Sequence, residues 1–292
     1  MNIIGHRIIF YSISGFLVLT SVVSLVVFGL ALGRDFTGGA LWEIRYRENP
    51  PTLQEFTEIL HAKGEEHALI QPTESNGFII RLPDISEERH QELFSALRAE
   101  KKESVEELRF DSIGPIVGAE LRRNALIALL FAMGGIILYI AWAFRKVSKP
   151  ISSWLYGIIA IVALLHDIAI PAGVFAFLQI EIDMLFVSAL LTILGFSVHD
   201  TIVVFDRVRE NLRKGGSDSF ADLVNHSVNE TLIRSLNTSL TVIMVLVAIL
   251  FFGGDSTFYF VLALLIGIIT GTYSSIFIAS PLLVTLARLR GK

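Results

Sequence analysis

An aspartate and an arginine lie in or beside stretches of the chain that are otherwise almost entirely apolar. Asp200 is near the end of the apolar stretch 184–205, and Arg234 immediately precedes the next one. A charged side chain in hydrocarbon costs about 2.5–3.5 kcal/mol on insertion scales, so it is seldom found there without a function. Because a helix rises about 1.5 Å per residue, both side chains are expected at similar depth. They form our first candidate functional site.

Two His-Asp dipeptides fall inside apolar stretches, His166-Asp167 and His199-Asp200. Asp167 is expected near mid-depth, either as a functional group or as a structural carboxyl that is hydrogen-bonded within a bundle. Asp200 also has a structural alternative, a buried ion pair that fixes helix registry, although such pairs seldom add much stability. Neither histidine has a second metal ligand at helical spacing, so no metal site is predicted.

Polar residues recur at helical spacing beside Arg234. They are Arg234, Asn237, Thr238 and Thr241. A polar stripe on an otherwise apolar helix normally faces protein or water. The alternative for Arg234 is a simple basic flank at the inner end of a span. On the preceding span, Ser197 and Thr201 flank Asp200 and could carry a water molecule to it.

The elements that must hold these residues are membrane-spanning helices. Hydrophobic residues make up 53% of the 292 residues, the mean hydropathy is +0.63, and the apolar stretches reach the roughly 20 residues that cross a hydrocarbon core. Six spans are predicted, at 8–32, 124–144, 153–178, 184–205, 235–252 and 258–286. The first is too long for a cleaved signal peptide and is interpreted as an uncleaved anchor.

Composition also excludes several classes of function. The chain has no cysteine, which rules out disulfides, thiolate catalysis and Cys-ligated metal. Its net charge is -4 and its basic residues are dispersed, so a nucleic-acid partner is not predicted. No catalytic set or cofactor motif is found, and we expect a protein that is not an enzyme.

Basic residues in the short loops predict the orientation. They fall at Arg7, at Arg145, Lys146 and Lys149, in 207–214 and in 288–292. Because such loops stay on the cytoplasmic side, both termini are expected on the cytoplasmic side of the membrane. Arg122 and Arg123 depart from the rule, but they follow a long loop of the kind that translocates regardless of charge. The predicted divisions are 1–32, an extracytoplasmic domain at 33–123, and 124–292.

The segment 33–123 has the pattern of a small folded domain. Alternating strands are predicted at 40–47, 68–73, 78–82 and 105–112, with amphipathic helices at 52–63 and after Ser86. Asn76-Gly77 predicts a tight hairpin with positive φ angles. This βαββαβ order is typical of a ferredoxin-like domain. His61, His67 and His90 lie on separate elements and are interpreted as solvated surface residues.

The sixth span contains small residues at every fourth position. They are Ala263, Gly267, Gly271, Ser275 and Ala279. This spacing lets helices approach closely in lipid. It predicts a helix interface, either within this chain, which we favour, or with a partner.

Three motifs resemble a known family. They are DFTGG at 35–39, GPIVGAEL at 114–121 and GFSVHDTIVVFDRVREN at 195–211. These resemble the motifs of SecF, the smaller subunit of the SecDF protein-export complex, which is similar to the resistance-nodulation-division transporters. The resemblance implies that Asp200 and Arg234 take part in proton transfer, with Asp167 and His199 as further candidates. His199 stands where the family commonly has Asn.

The resemblance also implies partners and a function. The partners are SecD, the SecYEG channel, YajC, secretory polypeptides and protons, and the implied function is promotion of protein export by the proton motive force. One alternative is half of a proton-driven exporter for small molecules or lipids, which would show substrate-dependent proton flux without any secretory polypeptide. Another is a passive scaffold, which would keep its activity when both charges are removed.

Overall fold

The protein is described by a computed structural model that covers residues 1–47, 50–66, 68–73, 76–100, 105–145, 152–215 and 219–290. It divides into two compact units, a helical unit (Met1–Ala31 with Leu126–Lys292) and an α/β unit (Leu32–Ala125). Six of the described helices are long and apolar enough to cross a membrane, as predicted. His67, Lys146 and Lys149 lie outside the described residues.

Seven of the described helices and one π-helical turn form the helical unit, to which α5 contributes from Leu126 onward. They are α1 (Arg7–Val27), α5 (Pro115–Ala143), α6 (Ser153–Leu178), α7 (Met184–Lys214), α8 (Phe220–Phe252), α9 (Asp255–Ser274), the π turn Ser275–Ala279 and α10 (Ser280–Arg290). The α/β unit contains α2 (Arg34–Thr37), β1 (Gly39–Tyr46), α3 (Leu53–Ala62), β2 (Leu69–Thr73), β3 (Gly77–Leu82), α4 (Glu87–Glu100) and β4 (Val105–Ile113).

Helices α6, α7 and α9 form the interior of the helical unit. About half or more of the apolar window of α6 and α7 is buried, whereas only 11% is buried in α1 and 17% in α5. The outer helices turn apolar side chains such as Phe16 and Phe131 away from the protein. Such surfaces suit a bilayer, because hydrocarbon solvates them as well as the protein interior does.

The length of α8 corrects one prediction. The apolar pattern begins at residue 235, but the helix begins at Phe220, where the side chain of Ser219 accepts a hydrogen bond from the backbone N–H of Asp222 at 3.1 Å. The first turns are amphipathic and bury Val224 and Val228, so helix packing continues where hydropathy falls. Arg234 therefore lies inside a long helix and does not open one.

The α/β unit confirms the predicted βαββαβ order. Its four strands pair antiparallel in the order β2-β3-β1-β4. The buried face of β1 carries Trp42, Ile44 and Tyr46, which contact the two helices through residues such as Phe56 and Leu93. Alternation along β1 and helical spacing along α3 and α4 therefore produce a single core.

The β2–β3 hairpin differs from its prediction in one detail. Asn76 has a positive φ of 58°, as expected for a tight turn, but Gly77 is not among the residues with positive φ. A Cβ at Gly77 would lie 2.3 Å from the carbonyl oxygen of Ile44. Glycine is required there because two strands approach closely, and not because of its backbone conformation.

The prediction that His90 is a solvated surface residue is wrong. Its side chain is 2% exposed and stacks on Phe110 with ring centroids 3.6 Å apart. Its Nε2 lies 2.7 Å from Oε2 of Glu107, which also accepts a 2.7 Å hydrogen bond from Trp42. Residues from α4, β1 and β4 together enclose the His90 ring. The spacing of histidines along the chain therefore could not indicate that His90 is buried.

Two of the sequence motifs are the two sides of one backbone contact. Gly38 has φ +78° and ψ 172°, a region open essentially only to glycine. A Cβ there would lie 2.9 Å from the backbone of Pro115, and a Cβ at Gly118 would lie 3.0 Å from the backbone nitrogen of Gly38. The two motifs therefore require glycine at positions 38 and 118, because their backbones pack directly against each other.

We expect Gly38→Ala to destabilise the protein more than Gly29→Ala. Both glycines have positive φ, a backbone conformation that costs other residues on the order of 1–3 kcal/mol. Only Gly38 also has backbone within 3 Å of the new Cβ, since nothing lies within 4 Å at Gly29. Thermal unfolding in detergent measures the difference, and equal melting temperatures would contradict the contact.

Candidate proton-transfer site

Asp200 is buried in α7, and its carboxylate is only partly satisfied. The residue is 3% exposed, and its Oδ2 atom accepts no hydrogen bond from the described residues. The hydroxyl of Ser235, on α8, interacts with this carboxyl but makes no hydrogen bond of ordinary geometry within the described chain. An open acceptor in a buried setting is costly unless a proton or a ligand occupies it in turn.

Arg234 does not form an ion pair with Asp200 in this structure. Its side chain is exposed, and among the described residues no N···O contact within 4 Å joins the two. The residue next to it, Ser235, is buried and faces α7. Successive helical residues point about 100° apart, so the two cannot both face Asp200 directly.

The polar stripe that begins at Arg234 is not covered by this chain. Asn237, Thr238 and Thr241 are all exposed. The Thr238 hydroxyl donates to the carbonyl oxygen of Arg234 at 2.9 Å, and the Thr241 hydroxyl donates to that of Thr238 at 2.7 Å. The helix therefore satisfies its own threonines, whereas the guanidinium has no anionic partner in the described chain.

His199 and Asp200 are adjacent in sequence but occupy different surroundings. The ring of His199 is exposed, whereas the carboxyl of Asp200 is inside the bundle. The histidine acts on Asp200 only through its proximity along the helix. The proposal that His199 takes part in proton transfer therefore rests on its position next to Asp200 in the sequence and not on a hydrogen bond.

Asp167 has the opposite character to Asp200. It is completely buried on α6, and both carboxylate oxygens have partners. Oδ1 lies 2.8 Å from Nδ1 of His166, and Oδ2 accepts a 2.8 Å hydrogen bond from Ser274 and a short one from Ser197. Three helices therefore meet at this carboxylate.

The small residues of α9 explain how its hydroxyls reach this carboxylate. A Cβ added at Gly267 would lie 2.2 Å from the side chain of Ile193, and one at Gly271 would lie 3.0 Å from that of Ser197. The predicted interface is thus an intramolecular contact between α9 and α7. Ser274, which the four-residue spacing missed, lies one residue before the stripe member Ser275.

One turn further along α7, a second polar contact joins this helix to the π turn. The hydroxyls of Thr201 and Ser275 are 3.0 Å apart, and Ser275 also donates to the carbonyl oxygen of Gly271 at 2.8 Å. The π turn begins at Ser275 and ends where Ser280 donates back to its carbonyl oxygen at 2.9 Å. Both Ser274 and Ser275 are fully buried. Sequence patterns carry no signal for this turn.

Comparison with known proteins identifies the family of this chain. Residues 93–289 match the family model described as protein export membrane protein SecD/SecF, C-terminal. The chain belongs to the SecD/SecF family. It is 45% identical to the protein translocase subunit SecF of Thermobaculum terrenum, over 98% of this chain and 93% of that protein. It is 40% identical to the protein translocase subunit SecDF of Thermus thermophilus, over 94% of this chain and 37% of that one.

A solved structure of a SecD/SecF family member has the same fold. The crystal structure of SecDF from Thermus thermophilus, a translocon-associated membrane protein, superposes with a TM-score of 0.80 at 36% identity. The match covers 99% of this chain and 39% of the SecDF chain. This chain therefore spans about two fifths of the SecDF chain. The family match and the shared fold confirm the resemblance inferred from the motifs.

We expect Gly271→Val to destabilise this SecD/SecF family member, with Gly195→Val as the matched control. Both changes put a β-branched residue into a helix, but Gly195 has nothing within 4 Å of a new Cβ, whereas Gly271 faces Ser197 and Asp167. Overpacking of this kind typically costs about 1–3 kcal/mol. Melting temperatures in detergent measure it, and the contact is disproved if both variants melt alike.

Proposed function

We propose that this protein is an accessory subunit of the Sec translocase that uses the proton motive force, together with a SecD partner, to promote protein export. The observation that supports this most directly is the open carboxyl of Asp200, which is buried yet accepts no hydrogen bond at Oδ2 from the described residues. A group that must bind and release protons cannot be saturated by fixed donors. Membership of the SecD/SecF family supports protein export as the process that proton transfer would drive.

Proton transfer at Asp200 would work through its changing charge. Burial favours the neutral carboxyl, and an approaching guanidinium favours the ionised one. Arg234 is near enough to influence Asp200 electrostatically but is not bonded to it, so its approach would require a rotation or shift of α8. Binding and release of a proton would thus be coupled to helix movement.

The energy available is sufficient for such a movement. One proton that crosses a membrane potential releases about 2.3 kcal/mol per 100 mV. Making or breaking a single charged contact in a low-dielectric site has a comparable magnitude, about 1.5–3 kcal/mol. A single proton could therefore shift a two-state equilibrium between the open and the Arg234-paired forms of Asp200.

A SecD partner would cover the polar stripe of α8. Arg234, Asn237, Thr238 and Thr241 are exposed on a helix that is long and apolar enough to cross a membrane. A guanidinium facing lipid is costly, and intramembrane charges normally face the interior of a bundle. The SecDF relatives also carry about three fifths of their length outside the matched region, which a separate SecD chain would supply here.

The proposed location is the bacterial cytoplasmic membrane, with both termini in the cytoplasm and the α/β unit outside. The basic residues of the short loops support this orientation. In this arrangement the α/β unit would handle the emerging secretory polypeptide and transmit helix movement to it. The SecYEG channel and YajC would be the other protein partners. The proposed role is not enzymatic and requires no cofactor.

Asp200→Asn is expected to abolish stimulation of secretion by a proton gradient, because an amide cannot bind and release a proton at neutral pH. Asp206→Asn is the matched control on the same helix, since its side chain is 55% exposed and pairs with Arg209 at the surface. Translocation of a secretory polypeptide into inverted membrane vesicles, with and without a gradient, measures the effect. Full stimulation in a folded Asp200→Asn protein would refute the proposal.

Purification in mild detergent is expected to recover a SecD-like chain and the translocation channel with this protein. Replacing Asn237 and Thr241 by tryptophan should reduce recovery of the SecD-like chain, because bulky rings would separate the stripe from its partner. Phe131→Trp on α5 is the control, since that side chain is 82% exposed and already large. Undiminished recovery in the stripe variant would place the partner on another face.

A further inference from the structure

Among the described residues, the helical unit buries two carboxyl groups, and their hydrogen bonding differs. Asp200 has an open Oδ2, whereas Asp167 is 0% exposed and has partners on both oxygens. An ionised carboxylate is an acceptor only, and three donors satisfy most of its capacity. Contacts with three helices restrict the position of this carboxyl group. Its surroundings suit a fixed group and not a carrier.

The partners of Asp167 come from the helices that surround Asp200. His166 is on α6 itself, Ser197 is on α7 and Ser274 is on α9. Ser197 lies three residues before Asp200, about one helical turn away on the same buried side. The hydrogen bond from Ser197 to Asp167 therefore fixes the turn of α7 that precedes the proposed proton carrier.

The packing around this carboxylate leaves little room for displacement. A Cβ added at Gly271 would lie 3.0 Å from Cβ of Ser197 and 3.5 Å from Oδ2 of Asp167. The 3.0 Å contact between the hydroxyls of Thr201 and Ser275 holds the following turn of α7 against the start of the π turn. Asp200 thus lies between Ser197, which is hydrogen-bonded to α6, and Thr201, which is hydrogen-bonded to the π turn.

We propose that Asp167 is a positioning residue, whose hydrogen bonds to Ser197 and Ser274 hold α7 and α9 on α6 and so fix the place of Asp200. This inference rests on the proposed proton transfer at Asp200 and assigns a different task to the second aspartate. In this role, Asp167 supports proton transfer at Asp200 through the geometry of its hydrogen bonds and not by exchanging a proton itself.

Two substitutions separate geometry from charge. Asp167→Asn keeps the shape, since the amide oxygen can accept from both serines and the amide nitrogen can donate to Nδ1 of His166 in its other tautomer. Asp167→Glu keeps the charge but adds a methylene where Oδ2 already lies 3.5 Å from a Cβ position at Gly271. A proton carrier would tolerate the second change better than the first.

We expect Asp167→Asn to keep gradient-driven secretion within about twofold of the unchanged protein. Asp167→Glu should lose on the order of tenfold or more, because a misplacement of about 1 Å can cost up to 10² in rate. Both variants are compared by amount inserted and by melting temperature. Loss of activity in folded Asp167→Asn, or full activity in Asp167→Glu, overturns the proposal.

A second readout does not depend on secretion. A hydrophobic carbodiimide reacts with protonated carboxyls in membranes, and mass spectrometry locates the adduct. We expect an adduct at Asp200 and none at Asp167, with unchanged yield at Asp200 in Asp167→Asn and an altered yield in Asp167→Glu. An adduct at Asp167 overturns the positioning role. Full secretion by Asp200→Asn would instead refute the proposed function. The labelling pattern would then still test whether Asp167 positions Asp200.

Discussion

A carboxylate in the middle of an apolar helical bundle must accept hydrogen bonds. The hydrogen bonds to Asp167 therefore restrict how the surrounding helices pack. Its three partners belong to α6, α7 and α9, so one side chain joins the three helices that form the interior. A hydrogen bond to a charged group contributes about 1.5–3 kcal/mol, which is more than a bond between neutral groups contributes. The positions of Ser197 and Ser274 are therefore closely restricted.

The same contact requires the small residues of α9. Hydroxyls donate only over short distances, so the backbones of α7 and α9 must approach closely. Gly267 and Gly271 allow this because any side chain there would meet Ile193 or Ser197. The stripe of small residues and the buried carboxylate are thus two requirements of one packing arrangement. It leaves Asp200 enclosed and with an open oxygen.

The α/β unit depends on backbone contacts of a different kind. Gly38 and Gly118 meet at about 3 Å, which joins the segment before β1 to the first turn of α5. Beside its apolar core, His90 and Trp42 both form hydrogen bonds with Glu107. In both units, a hydrogen-bonded polar cluster therefore joins elements that are distant in sequence.

The sequence alone was sufficient for the class and most of the fold. Hydropathy over about twenty residues predicts six helices, and alternation with helical spacing predicts βαββαβ, because these patterns record which faces avoid water. Asp200 could be singled out because a charge in an apolar stretch is rare. Tertiary structure decided what the charges contact. Arg234 faces outward because the next residue, Ser235, is the one that α8 turns toward α7. Asp167 gains a hydrogen bond from Ser274, at the end of α9, through a contact between helices that are distant in sequence. His90 is buried because three separated elements enclose it, and contacts between distant residues are not encoded in local periodicity.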